Sequence, residues 1–320
     1  MGTVRQIAIA AFAFFALAGC ASPQLQELSE ATDAPRLERD ALVMDDGARL
    51  PLTVWRAERP RAVIVALHGF NGYGRDFELP GPWFAEHGMT VYAYDQRGFG
   101  RHVNGRGVWP GSERLTADLR ETIQLVRRRH PGKPVYVLGF SMGGAVALIA
   151  AAEGFQASGL VLAAPAVWGW QAMNPLYRTA LWVTAHTLPA ATASGRGLGI
   201  RASDNDDWLK TWSRDPLVIK ETRYDAVYGL VDLMDEAYEA AGSVRLPALF
   251  VYGDNDEIVP DEPTRSVMQR YAGPKRMAIY ENGWHMVLQD RQRERVWRDI
   301  LTWMDRPDAP LPSGEEVPAP

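Results

Sequence analysis

The stretch Val135-Tyr136-Val137-Leu138-Gly139-Phe140-Ser141-Met142-Gly143 decides how this chain reads, together with the Ala145-Val146-Ala147-Leu148-Ile149-Ala150-Ala151-Ala152 that follows. Four apolar, β-favouring residues without Gly or Pro lead into G-x-S-x-G, and an Ala-rich run with the character of a buried helix comes after it. A serine at such a strand-to-helix junction sits on a nucleophile elbow, a turn so tight that only glycine-sized neighbours fit beside it. Its hydroxyl is presented above the sheet, and the backbone N–H of the next residue, Met142, is left free to bind an oxyanion. In a chain with 29 glycines the pentapeptide alone is weak, so the flanks carry the reading.

Working outward, short apolar runs alternate with helical ones. Residues 50–55, 62–67, 90–94, 135–138, 160–163, 248–252 and 277–280 read as strands. Residues 83–87, 115–129, the Ala-rich run and residues 293–304 read as helices. Continuously apolar strands suit burial on both faces, and the alternation predicts an α/β fold with a mostly parallel sheet flanked by helices. In such sheets function gathers at the carboxyl ends of the strands. Between residues 168 and 241 no clean strand appears and aromatic residues recur (Trp168, Trp170, Tyr177, Trp182, Trp208, Trp212). This segment predicts an inserted, mainly helical cap. Most of its aromatics read as packing onto the core, and a few as the lining of an acyl pocket.

At 47% hydrophobic and 23% charged residues, the composition is that of a globular protein with a sizeable core. The formal net charge is −5, and no basic run is interleaved with aromatics. The triplet Arg127-Arg128-Arg129 ends a helical stretch, where basic residues favour the negative end of the dipole. Nucleic acid is therefore not an expected partner. No histidine or carboxylate cluster has metal-ligand spacing and no phosphate-binding glycine loop is present, so neither metal nor cofactor is expected.

Three further segments resemble motifs of the α/β-hydrolases. His68-Gly69-Phe70 resembles the H-G-x oxyanion loop. Tyr94-Asp95-Gln96-Arg97-Gly98-Phe99-Gly100 resembles the D-x-R-G-x-G turn, with Arg101 where a small polar residue is usual. Gly253-Asp254-Asn255-Asp256-Glu257-Ile258-Val259-Pro260 resembles the G-x-x-D-x-x-V-P segment. With the elbow, these make residues 41–305 similar to the α/β-hydrolase superfamily, and within it to the subgroup of monoacylglycerol lipases and bacterial lysophospholipases. The resemblance implies an α/β-hydrolase fold and an oxyanion hole made by the backbone N–H groups of Phe70 and Met142. His68 then stabilises its loop and is not a base. The family's chain order is nucleophile, acid, histidine. Of six histidines only His285 follows the late strand that carries the acid. Asp254, Asp256 and Glu257 compete for the acid on residue type alone, and the family pattern places it at Asp256, with Asp254 next.

The two ends read as separate from this domain. A short basic start and the apolar residues 7–17 fit a signal peptide, being shorter than the ~20 residues a membrane-spanning helix needs. Leu17-Ala18-Gly19-Cys20 resembles the bacterial lipobox, and Cys20 is the single cysteine of the chain. The expectation is a lipoprotein signal peptide at 1–19, lipidation at Cys20 and a tether over 20–40, flexible enough to reach only about 25 Å. Without an aspartate at position 21, resemblance to Gram-negative lipoproteins favours the periplasmic face of the outer membrane. Residues 306–320 hold five prolines and little apolar content, and read as a disordered tail.

These readings converge on a membrane-tethered serine hydrolase of lipid-like esters such as monoacylglycerols or lysophospholipids. A thioesterase, a short-chain esterase or an aminopeptidase would use the same triad. An aminopeptidase requires a carboxylate in the cap to hold the substrate amine, for which Asp204-Asn205-Asp206-Asp207 offers itself. A lipoprotein using the fold only for binding would not require all three triad positions to be filled.

Overall fold

The computed structural model describes residues 22–27, 34–102, 104–197 and 199–318. The leader expected at 1–19 and the lipidation site Cys20 lie outside the described residues. Among those described, the main sheet runs through ten strands in the order β1-β2-β3-β5-β4-β6-β7-β10-β11-β12. They are β1 (Arg36–Leu37), β2 (Ala41–Val43), β3 (Arg49–Trp55), β4 (Ala62–Leu67), β5 (Met89–Tyr94), β6 (Val135–Phe140), β7 (Gly159–Ala163), β10 (Ala248–Gly253), β11 (Lys275–Tyr280) and β12 (Glu316–Val317). Strands β5, β4, β6, β7, β10 and β11 run parallel, and the outer strands on both sides run antiparallel to their neighbours.

Burial explains the strand sequences. Every residue of β4, β5, β7 and β10 is buried. Each is covered on both faces, so polar alternation would leave unpaired groups inside, while each fully buried aliphatic side chain contributes roughly 1.5–3 kcal/mol. The flanking helices are α1 (Pro80–Glu86), α2 (Ser112–Arg129), α3 (Met142–Glu153), α7 (Asp261–Arg270) and α8 (Arg293–Asp305). Helix α2 buries Leu115, Leu119, Ile123 and Val126 along one stripe and ends in the three arginines. Helix α3 is buried from Met142 to Ala150, as its all-apolar composition requires.

The insertion after β7 contains α4 (Pro175–Thr187), α5 (Asp206–Arg214) and α6 (Tyr224–Ala240), with a small antiparallel hairpin of β8 (Thr192–Ala193) and β9 (Thr222–Arg223). Asn174 and Asn205 cap α4 and α5, each accepting a backbone N–H with its side-chain oxygen. Helix α6 packs on α3 and buries Ala226, Val231, Leu233 and Ala237. It therefore serves as a flanking helix of the sheet as much as part of a cap, and a cap running to residue 241 extends too far.

Both ends of the domain depart from expectation. The folded unit begins before residue 41, because β1 pairs with β2 inside the stretch read as a tether. Residues 22–27 also lie against the domain: Gln26 N–H donates to the Trp109 carbonyl at 2.9 Å, and Gln24 N–H donates to Asp225 Oδ2 at 3.3 Å. An extended polar segment is held here through its backbone, which composition does not reveal. The C-terminal stretch read as disordered is ordered through residue 318. Strand β12 covers the edge of β11, Leu311 is 5% exposed, and the Ser313 N–H donates to buried Asp299 at 2.9 Å. Two apolar residues and one edge strand outweigh the prolines, because β11 would otherwise expose unpaired backbone groups.

Candidate active site

The serine elbow forms where β6 meets α3. Ser141 has φ +50° and ψ −116°, a conformation rare for a residue with a side chain. Its flanking glycines are sterically required. A Cβ on Gly139 would lie 2.5 Å from the Gly143 carbonyl oxygen, and one on Gly143 would lie 2.3 Å from the Leu67 oxygen. Met142 opens α3, so its N–H has no partner within the helix and sits at the positive end of the dipole.

The loop after β4 runs beside the serine. A Cβ on Gly69 would meet the Phe140 ring at 2.9 Å and the Ser141 Cβ at 3.4 Å, so only glycine lets this backbone approach the elbow and carry Phe70 to it. His68 is fully buried. Its Nε2 accepts the Gln96 N–H at 2.9 Å, so Nδ1 carries the proton and donates to the Gly69 carbonyl at 2.8 Å. Burial pushes its pKa down to about 4. It is a neutral strut that ties the loop to the turn after β5. Arg101 fills a related role: it donates to both oxygens of the buried Asp95, and Asp95 Oδ1 also accepts the Gly74 N–H.

Two loops beyond β10 and β11 supply the remaining groups. They touch backbone on backbone, since a Cβ on Gly253 would lie 2.3 Å from Gly283. The Asn255 N–H donates to the Gly283 carbonyl at 2.8 Å. In this setting His285 Nδ1 donates to Asp256 Oδ2 at 2.7 Å, and Ser141 Oγ donates to His285 Nε2 at 3.0 Å. Asp256 Oδ1 accepts the N–H groups of Ile258 and Val259 at 2.8 and 2.9 Å, which aims the carboxylate. Asp254 and Glu257 are exposed, and the partner of His285 Nδ1 is Asp256 rather than either of them; Glu257 instead accepts the Arg201 N–H. The structure therefore brings Ser141, His285 and Asp256 together at the carboxyl edge of the sheet, and leaves Asp254 outside the cluster.

Above them lies a cavity of about 360 Å³, floored by Ser141 and His285 and walled by Phe70, Trp168, Leu209, Trp212 and Met234. Its lining is almost wholly apolar. The acidic run of the cap does not contribute to it. Asp204 accepts the Arg291 N–H, Asn205 caps α5, Asp206 pairs with Arg201, and Asp207 reaches Lys210. Among the described residues no group of three or more His, Cys, Asp or Glu is placed to hold a metal ion.

The chain matches the Hydrolase_4 family, serine aminopeptidase S33, over residues 58–292. It belongs to that family. It is a serine hydrolase with the α/β-hydrolase fold. A monoacylglycerol lipase of Mycolicibacterium smegmatis is 26% identical over 272 residues, covering 81% of this chain and 93% of that lipase. The monoglyceride lipase of Rattus norvegicus is 25% identical over 283 residues, covering 85% and 92%. A soluble variant of the monoglyceride lipase of Saccharomyces cerevisiae, determined with a substrate analog, superposes with a TM-score of 0.71 at 17% identity, covering 88% of this chain and 96% of that one.

Sequence reading missed two buried carboxyls of this hydrolase. Asp290 accepts the Trp284 N–H at 2.7 Å and the Ser203 hydroxyl at 2.5 Å, clasping the histidine loop to the insertion; burial lifts its pKa to about 6. Asp76 lines the cavity itself. Burial lifts its pKa to about 7, opposed by the Gly69 N–H and the neighbouring Trp212 indole. No motif or spacing marks either residue.

Proposed function

We propose that this serine hydrolase cleaves single-chain lipid esters, monoacylglycerols before lysophospholipids, through an acyl-enzyme on Ser141. The observation that carries this reading is the hydrogen-bonded chain Ser141–His285–Asp256 at the floor of an apolar cavity. The likeness along most of the chain to monoacylglycerol lipases supports the choice of substrate.

In the reaction the Ser141 oxygen attacks the ester carbonyl while His285 Nε2 takes its proton. Asp256 holds the imidazole with Nδ1–H toward the carboxylate and stabilises the imidazolium that forms. The developing alkoxide is met by the N–H groups of Phe70 and Met142, a donor of this kind being worth about 2.7–4 kcal/mol of barrier. His285 then protonates the departing alcohol, and a water activated by the same nitrogen releases the fatty acid. The apolar walls hold the chain. Helix α4 adds an outer lipid-facing surface, with Leu176, Tyr177 and Trp182 all more than half exposed.

In this reading the chain is a lipoprotein anchored through Cys20 at the periplasmic face of an outer membrane, which would hold the cavity near its substrate. The acidic run on which an aminopeptidase reading would draw is instead engaged in capping and surface pairs. The test is hydrolysis of a chain-length series of monoacylglycerols and p-nitrophenyl esters. Ser141→Ala should lower kcat by at least about 10³-fold with KM little changed. Activity surviving in that variant, or cleavage confined to aminoacyl amides, overturns the reading.

A further inference from the structure

Asp76 is the buried carboxyl of the cavity that the reaction above leaves without a task. It sits in a single 3₁₀ turn (Gly74–Phe77), one step beyond the oxyanion loop, and is 2% exposed. Oδ2 accepts the Gly69 N–H at 3.1 Å. Oδ1 makes no hydrogen bond of ordinary geometry, and neither does the indole N–H of Trp212, the donor near it in the cavity that both line with Ser141 and His285, so a bound hydroxyl can accept from the indole while it meets the carboxyl. The site is constructed around this side chain. Gln289, four residues beyond the histidine, donates its amide to the Asp76 carbonyl and fixes the backbone. Gly72 leaves the slot open, since a Cβ there would stand 2.5 Å from Asp76 Oδ2.

A polar atom stripped of water and left unpaired in an apolar cavity is costly unless a ligand satisfies it. The chemistry of ester cleavage says which part of the ligand. The departing oxygen must lie against His285 Nε2, which protonates it, so the alcohol occupies the histidine side of the cavity. Asp76 is close enough to His285, and to Asp95 behind the loop, for each charge to act on it. With a pKa near 7 the carboxyl is present in both protonation states at neutral pH. A hydroxyl, able to donate and to accept, satisfies either state; an ammonium would satisfy only the ionised one.

The geometry points to Asp76 as the alcohol-side specificity residue, its free oxygen binding a hydroxyl of the leaving glycerol or of another short polyol. This assignment rests on the monoacylglycerol reading. It gives the hydrolase a means of telling a glyceryl ester from a simple alkyl ester of the same fatty acid.

The experiment compares kcat/KM for glyceryl octanoate with that for propyl octanoate in wild type, Asp76→Asn and Asp76→Ala. The ratio of the two constants does not depend on the fraction of enzyme folded, so a destabilised variant still reports. Wild type should favour the glyceryl ester, and the ratio should fall by about tenfold or more in Asp76→Ala, the worth of one hydrogen bond to a buried polar group. Asp76→Asn, which still donates and accepts, should keep most of it. A ratio unchanged in Asp76→Ala overturns the assignment and leaves Asp76 as a clamp on Gly69. Failure of the monoacylglycerol reading looks different: wild type then cleaves propyl octanoate and not the glyceryl ester, which overturns the role of Asp76 as well. Wild-type preference for an aminoacyl ester, lost in Asp76→Asn, overturns it in favour of an ammonium anchor.

Discussion

At the scale of single residues, the site stores strain and buried charge that a protein selected for stability alone would avoid. Ser141 holds a φ of +50°, a conformation of a class that costs about 1–3 kcal/mol. Asp76 adds a pH-dependent term whose sign follows from its raised pKa. An unfolded aspartate titrates near 4 and folded Asp76 near 7, so between those values the folded state binds the extra proton. Its contribution to stability is thus present below about pH 4, is lost progressively as the pH rises to about 7, and is level beyond that. Asp290, Asp95 and the other carboxyls around the loop are the same in both proteins, so the difference between wild type and Asp76→Asn isolates the one group. Thermal melts at pH 5 and pH 8 should show wild type losing more stability over that interval than Asp76→Asn. Parallel pH profiles would mean that Asp76 is ionised throughout.

Secondary-structure elements show where local pattern sufficed and where it did not. The central strands and α2, α3 and α8 follow from apolar runs and helical stripes, because each buries its own side chains against one or two neighbours. The two-residue strands β1 and β12 carry almost no pattern of their own. They exist because a longer strand beside them has an open edge. For β12 this has a measurable consequence. Removing residues 306–320 takes away the buried Leu311, the Ser313 partner of Asp299 and the pairing of Arg276 with Glu316. Leu311 alone is worth roughly 1.5–3 kcal/mol. The truncated protein should melt at least about 5 °C lower, as read by calorimetry. A free tail would leave the transition where it was.

Across the whole molecule, the N-terminal segment, the oxyanion loop and the insertion meet at one place. Leu25 bridges to Trp109; Trp109 packs under Gly229 of α6, and its ring lies 6.3 Å from that of Phe70. On the lipoprotein reading the anchor at Cys20 lies two positions before Ser22, where the described N-terminal segment begins. Cys20→Ser should move the protein from the membrane fraction to the soluble one in cell fractionation, with activity on a soluble p-nitrophenyl ester retained. Unchanged membrane retention would remove lipidation from the account.

What the sequence determined by itself was the fold class, and it singled out Ser141 and His285, which the fold brings within 3.0 Å of each other. These depend on short-range pattern and on the order of motifs along the chain, both of which a linear string preserves. It narrowed the acid to a short run, and it marked Gly139 and Gly143 because a tight turn leaves no choice of residue. Only the tertiary structure decided that Asp256, and not Asp254, faces His285, that the acidic run of the insertion points away from the cavity, and that both chain ends pack against the domain. Asp76 and Asp290 belong to the same class. Their environments are assembled from segments far apart in the chain, and burial, which sets their pKa values, is a property of the assembled protein with no counterpart in local sequence.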